Sequence, residues 1–450
     1  MKHHMIMAAT VLCLFSSVAA AQKSYSGYFL DGHSYRYRMN PAFGNEKTFI
    51  SMPALGNIDL ALDSDIMLSS VLYNLDGKTV FFFHPDVPES EAMSKFGDRN
   101  DLKLSLDLSV FSAGFKAFGG YNTITLNAHV NGAVGLPGAV FSLAKEGIGN
   151  RRYDLSTLHA DAAGYAELAI GHSHDIAAVP GLRIGAALKF LVGLAYVESD
   201  IRQAEINLGE DKWVASTDGD VYMSMLGAAF KSDVNEDGRR YISGIEMDNL
   251  DFTPAGYGFG VDLGAAYRFS DFEFSAAVNN LGFIKYNNVL RASTDGVHQL
   301  DSDRFVFNAD KDASNSFEKV SEEMLDDLAA LYELQDKGSI GVRTSSLTAT
   351  LNLGVDYALP VYRKLHFGLL NTTDFDKGRT FNTTMLSANI APLKSFSASV
   401  NAAIGSFGVS YGAMLSFHAT GFNSFVGVDR IPTIGSLPNL RLNMGCNILF

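Results

Sequence analysis

The chain has 450 residues, a formal net charge of −14, two cysteines, and a composition that is 47% hydrophobic with 32 Phe, 18 Tyr and 42 Gly against 11 Pro. Such acidity argues against nucleic acid as a partner, and two cysteines cannot build a disulfide framework. Beyond the first residues no uninterrupted apolar run reaches the roughly 18 that a membrane-spanning helix needs. Aromatic- and Gly-rich chains without such a helix suit a transmembrane β-barrel, which is apolar outside and small or polar inside.

Residues 1–21 read as a secretory signal peptide. Lys2, His3 and His4 make a weakly basic start, Ile6 to Phe15 is the apolar stretch, and Ala19-Ala20-Ala21 is a small-residue cleavage site. The mature chain is then expected to begin near Gln22. Cys13 lies inside the apolar stretch rather than at the cleavage point, which argues against a lipid anchor. Processing leaves Cys446 alone, as a packing residue.

Residues 22–54 are predicted to form a plug folded into the lumen. Tyr25, Tyr28, Phe29, Tyr35 and Tyr37 mix there with Arg36, Arg38, Asn40 and Pro41 without any period of two. The segment is too aromatic to stay solvated and too irregular for a wall strand.

Residues 55–450 are predicted to be the barrel. Period-two alternation marks strands at residues 57–66, 102–110, 121–130, 164–173, 181–196, 257–269, 272–284, 345–359, 364–373, 383–391, 395–405, 408–418, 420–429 and 440–450. That is an all-β, antiparallel transmembrane barrel of about 14 strands, an even number that puts both ends on one side. Connections at 270–271, 358–363, 391–394 and 418–421 are short and are assigned to the periplasm. The alternate ones, at 68–101, 131–163, 198–256, 285–344 and 374–382, are assigned as long extracellular loops. Within them, 138–147 suggests a short helix, 213–226 a hairpin, and Phe317, Val320, Met324, Leu328 and Leu331 an amphipathic helix with Asn315 and Glu318 as a capping pair. The last strand alternates to its end at Phe450. Such an ending is similar to the terminal strand of outer-membrane barrels, where it serves the assembly machinery as a signal.

With apolar faces outward, Glu167, Arg183, Lys189, Asp262, Arg268 and Asp356 point inward. They either pair across the lumen as a structural network, holding Arg36 and Arg38 of the plug, or line a gate or substrate path. Asp233, Asn235, Asp237 and Gly238 begin like a calcium loop, but Gly244 stands where the closing carboxylate belongs, so a solvated acidic turn is the expectation. His172 and His174 share a face without a third ligand. No metal site, cofactor or enzymatic activity is expected: no Gly-x-Ser-x-Gly, His-Glu-x-x-His or phosphate loop occurs.

Asn40-Pro41-Ala42-Phe43, Gly258 to Gly264 followed by Ala265-Ala266-Tyr267, and Asn279-Asn280-Leu281-Gly282-Phe283 resemble the FadL-like superfamily of outer-membrane barrels. Leu182 to Gly185 and Leu188 to Gly193 fit the same pattern. The mature chain looks most like an uncharacterised Bacteroidetes family related to it. That resemblance implies fourteen strands, an amino-terminal hatch and a place in the outer membrane of a Gram-negative bacterium. It implies gated passage of a small hydrophobic ligand, as in long-chain fatty-acid channels, or docking in a secretion or surface complex, as for the PorV barrel. The partners then expected are outer-membrane lipid, the barrel assembly machinery, and either a hydrophobic small molecule or a second outer-membrane protein.

Overall fold

The computed structural model describes residues 25–450 except 31, 46, 54, 147–150, 209–211, 226, 235–239, 248–252, 302–333, 378 and 432–439. Fourteen antiparallel strands close into one barrel. They are β1 (Ile58–Ser64), β2 (Arg99–Ala117), β3 (Gly120–Pro137), β4 (His159–Asp175), β5 (Leu182–Leu208), β6 (Gly256–Phe269) and β7 (Phe272–Asp301). The remainder are β8 (Ala349–Ala358), β9 (Leu365–Asp376), β10 (Arg379–Leu393), β11 (Phe396–Gly405), β12 (Gly408–Ala419), β13 (Phe422–Ile431) and β14 (Leu440–Leu449). All fourteen strands read from alternation are present.

Closure is made by β1, which pairs with β14 on one side (Ile58 opposite Met444) and with β2 on the other (Asp59 opposite Asp107). A short strand, Phe49–Ser51, completes the lower part of this stave between Leu449 and Gly114. The segment Gln335–Ser346 likewise continues β8 along the upper half of β7. A closed ring leaves no edge, so every wall amide can be bonded without water.

Alternation sets the two faces. On β14, Arg441, Asn443 and Asn447 are buried inside, while Met444 and Ile448 face outward and are exposed. On β12, Ser410, Met414 and Ser416 are buried, and Val409, Tyr411, Leu415 and Phe417 form the outer surface. Among the described residues no helix is long and apolar enough to cross a membrane; the strands do that work.

Turns at the end carrying Phe450 are tight. In the β2–β3 hairpin Phe118 (φ 55°) and Gly119 (φ 75°) both take left-handed backbone, as a two-residue turn matching strand twist requires. At the far end the segments read as loops are largely strand. β5 runs 27 residues and β7 runs 30, well past the ~9–11 that span a bilayer. Lys212–Met225 pairs with both, so it is the returning arm of a raised wing rather than a separate hairpin. A helix forms at Gly138–Glu146, with residue 147 outside the described set. Its Phe141 stacks on Phe96 beside Phe82 and Val87, making a small far-end core between β1 and β2. The amphipathic helix expected at 315–331 and the signal peptide lie outside the described residues.

Residues 25–45 lie inside the ring, where Tyr25, Tyr28, Phe29, Tyr35, Met39 and Phe43 are all buried. Without a period of two they cannot form a stave. They fold instead as two single turns of 3-10 helix, Tyr25–Gly27 and Arg36–Arg38.

Candidate functional site

The interior segment is bonded to staves all round the ring. Ser26 donates its N–H to the Asp429 carboxylate on β13 (3.1 Å), and its hydroxyl bonds the same group. Tyr28 reaches Ser275 on β7 (3.0 Å), and Tyr35 donates to Asn447 on β14 (2.8 Å). Wall amides return the contacts. Asn279 on β7 and Asn352 on β8 both donate to the Met39 carbonyl at 2.9 Å, and Asn423 on β13 donates to Ser34 Oγ at 3.0 Å. These bonds satisfy a backbone that has no ladder of its own.

Asn40 and Pro41 set the sharpest bend. Asn40 Oδ1 accepts the Ala42 N–H (2.9 Å), closing a turn that Pro41 cannot close with an N–H of its own. The same side chain donates to the Ala265 carbonyl on β6 (3.2 Å). The wall comes this close because Gly264 and Gly185 stand there: a Cβ on Gly264 would meet Asn40 Oδ1, and one on Gly185 the Pro41 carbonyl, each under 3.0 Å. Beside the bend, the Arg36 guanidinium lies 4.4 Å over the Phe43 ring and 3.9 Å from Glu273. His33 is fully enclosed edge-on against Phe425. Burial, helped by Arg36, His418 and Arg38 nearby, holds its pKa down at about 3, so it is neutral.

Above the bend a belt of charge runs around the wall. Asp59 sits opposite Asp107 in register, Asp107 opposite His129, and the imidazole bonds the Asp107 carboxylate. His129 Nε2 lies 3.6 Å from Glu167, Glu167 is 3.3 Å from Lys189, and Lys189 is 2.9 Å from Asp262. Asn280 on β7 ends the belt, accepting from Lys189 (2.6 Å) and donating its N–H to Asp262 (2.7 Å). Arg38 of the interior segment faces Asp107 at 3.7 Å. Each of β1 to β7 supplies one member: Asp59, Asp107 and His129 are directly opposite, and Glu167, Lys189 and Asp262 follow as diagonal inward neighbours two positions off register.

Glu167, Lys189 and Asp262 are thus brought together as inward alternation implies. The other three expected members are elsewhere. Arg183 sits lower, opposite Asp175 in the β4–β5 ladder and close to Gly44. Arg268 is at the terminal rim with its side chain 73% exposed, paired to Glu273 (2.6 Å), because β6 is leaving the lumen by that point. Asp356 pairs with His366 on β9 (2.8 Å). Arg36 and Arg38 are met by Glu273 and Asp107 rather than by Asp262. Phe450 donates its N–H to the Thr48 carbonyl (2.9 Å) and leaves its ring exposed on the outside.

Sequence reasoning missed Asp59, Asp107 and His129, although the inward face of β1 to β3 offers them by the same rule that found Glu167. It also missed the far-end cluster, for which alternation gives no signal. The β9–β10 turn leans across the lumen. Lys377, at φ 42°, pairs with Glu198 (2.6 Å), and Arg379 pairs with Asp161 (3.0 Å) and Asp101 (3.5 Å) and touches His159. Lys103 on β2 pairs with Asp376 on β9 (2.9 Å). Between this roof and the belt lies a chamber of about 140 Å³. Asp233 lies in the Ala228–Val234 strand, paired with Tyr241, and Asn235 and Asp237 fall outside the described residues. His172 and His174 contact each other (3.2 Å), and His172 contacts Asn122 (2.9 Å).

A family model described as a family of unknown function (DUF5723) matches residues 41–429. The chain belongs to that family. The match begins at Pro41, inside the bend, and ends at Asp429, the partner of Ser26. No curated protein matches this DUF5723 chain. Among solved structures, the Ralstonia pickettii toluene transporter TbuX is similar at 8% identity, covering 96% of this chain and 95% of that one, with a TM-score of 0.41. A Pseudomonas aeruginosa FadL homologue is similar at 11% identity, covering 96% and 97%, with a TM-score of 0.39. The Pseudomonas putida toluene transporter TodX is similar at 8% identity, covering 96% and 94%, with a TM-score of 0.39.

Proposed function

We propose that this DUF5723 barrel resides in a bacterial outer membrane and is a gated passage for a small ligand, with residues 25–45 as its plug. The observation that carries the reading is how the segment is held. Its anchors are discrete side-chain contacts: neutral hydrogen bonds from Asn279, Asn352 and Asn423, each worth about 0.5–1.5 kcal/mol, beside the Ser26–Asp429 bonds and the ion pairs of Arg36 and Arg38. A purely structural filling would be knitted into the wall as a strand. A segment held by separable bonds can leave as a unit while the wall keeps its ladder. The outer face supports that location, since a closed barrel with exposed Val, Leu and Phe along its strands suits a lipid surround.

The FadL-like resemblance implies a hydrophobic cargo for such a passage. A second reading, a docking barrel in a surface or secretion complex, has the raised wing of β5, Lys212–Met225 and β7 in its favour. That wing serves no purpose in spanning.

The test is swelling of proteoliposomes in small solutes, comparing the wild type with an Asn279→Ala/Asn352→Ala/Asn423→Ala variant. Faster swelling of the variant, with the barrel still heat-modifiable on gels, supports a gated passage. Equal, negligible swelling of both would favour the docking barrel.

A further inference from the structure

The geometry points to a small zwitterion, carrying a carboxylate and an ammonium together, as the ligand of the chamber beneath the β9–β10 turn. This inference rests on the passage reading above and names its ligand. The chamber offers about 140 Å³, close to the roughly 150 Å³ that admits a benzene-sized molecule. Ordinary small-molecule pockets are mostly apolar with a few polar groups. Here charged groups take a far larger share: carboxylates of Asp107, Asp374 and Asp376 line the same space as Lys103, Arg379 and Arg441. The aromatic ring in its lining, Tyr165, is already stacked on His129 at 4.7 Å.

Two features make this more than a charged wall. First, the ion pairs cross the space instead of lying along it. Lys103 to Asp376 joins β2 to β9, and Arg379 to Asp161 joins β10 to β4. A ligand bearing both charges can substitute for both partners of such a pair: its carboxylate takes the Lys103 ammonium or Arg379 guanidinium, and its ammonium takes the Asp376 carboxylate. No charge is left buried and unpaired at any stage. A hydrophobic guest would have to strip water from these groups and return nothing, and a singly charged guest would orphan one member of each pair. Second, the floor has capacity to spare. Asp107 Oδ2 is buried and accepts no hydrogen bond among the described residues, with Arg38 at 3.7 Å. Binding therefore unlatches the roof while engaging the group that faces the plug.

The experiment is calorimetric titration of the detergent-purified full chain with glycylglycine, xylose and decanoate as probes. Saturable binding of glycylglycine at one site, with none for xylose or decanoate, is the expected result. Asp376→Asn and Lys103→Met should each weaken it at least tenfold. The milder Thr348→Val, which removes only the hydroxyl that donates to Asp376 (3.0 Å), should weaken it severalfold while every variant keeps its heat-modifiable barrel. Arg268→Gln, at the opposite rim, should leave it unchanged. Binding of decanoate alone, binding of no probe, or glycylglycine binding unaltered in all three chamber variants overturns the inference. The two readings separate cleanly. Swelling without dipeptide binding overturns the ligand class and spares the passage, whereas binding without swelling does the reverse.

Discussion

Asn40 Oδ1 and the Cα of Gly264 face each other so closely that no Cβ fits between them. The pair joins two stretches 224 residues apart in the chain, the bend of the interior segment and the inward face of β6, and the wall glycine is the condition for the bend to dock.

Gly264→Ala should therefore displace the segment rather than the strand. The overpacking costs about 1–3 kcal/mol, and the segment yields because its bonds are separable while β6 is laddered on both sides. Limited proteolysis near residues 25–45 should become faster in the variant, with unchanged barrel migration on gels. Unchanged protection would show that the close approach is not needed for docking.

Asp107→Asn should loosen the segment more than Asp262→Asn does. Asp107 faces Arg38 directly, whereas Asp262 bonds only wall groups, Lys189 and Asn280. Leaving a buried charge uncompensated costs about 3–5 kcal/mol. In the first variant that cost is shared between Arg38 of the segment and His129 of the wall, and in the second it falls on the wall. Protease protection of the segment set against the barrel's unfolding temperature separates the two.

Acid should release the segment partly through His33. Its docked pKa of about 3 is below the ordinary 6.5, so the released state binds a proton that the docked state refuses. The stabilisation is complete above about pH 6.5 and is lost as the pH falls from there toward 3. Segment protection should fall between pH 7.5 and 5 in the wild type. In a His33→Phe variant that part of the pH dependence should vanish, and an identical profile would remove His33 from the account.

Deleting Phe450 should lower the amount of assembled barrel without altering what does assemble. The residue contributes one backbone bond, to Thr48, and an exposed ring, so its loss costs the finished wall little. Equal surface levels of deleted and full-length protein would mean that the exposed ring serves lipid contact alone.

The wall was legible because a barrel strand carries its information locally. Leu440 to Phe450 shows both faces within eleven residues, and every stave repeats that logic. The belt was half legible: Glu167, Lys189 and Asp262 follow from inward alternation, but which inward charges meet depends on stagger between neighbouring strands. Arg268 shares the parity of Asp262 and yet ends at the rim, since parity fixes a face and not a height. The roof was not legible. Lys377 and Arg379 flank a turn, and turns have no period from which an orientation could be read. The bend was visible as Asn40-Pro41, but its partners Gly264 and Gly185 gave no sign of being met by it.

The most direct measurement is single-channel conductance of a Ser34→Cys/Asn423→Cys barrel in a Cys446→Ser background, first oxidised and then reduced. Those two side chains are bonded at 3.0 Å across the segment and β13, so the disulfide pins the segment where it docks. The account predicts a silent barrel when oxidised and intermittent openings after reduction, made more frequent by acid. Equal conductance in both states, whether silent or open, would contradict a passage gated by this segment.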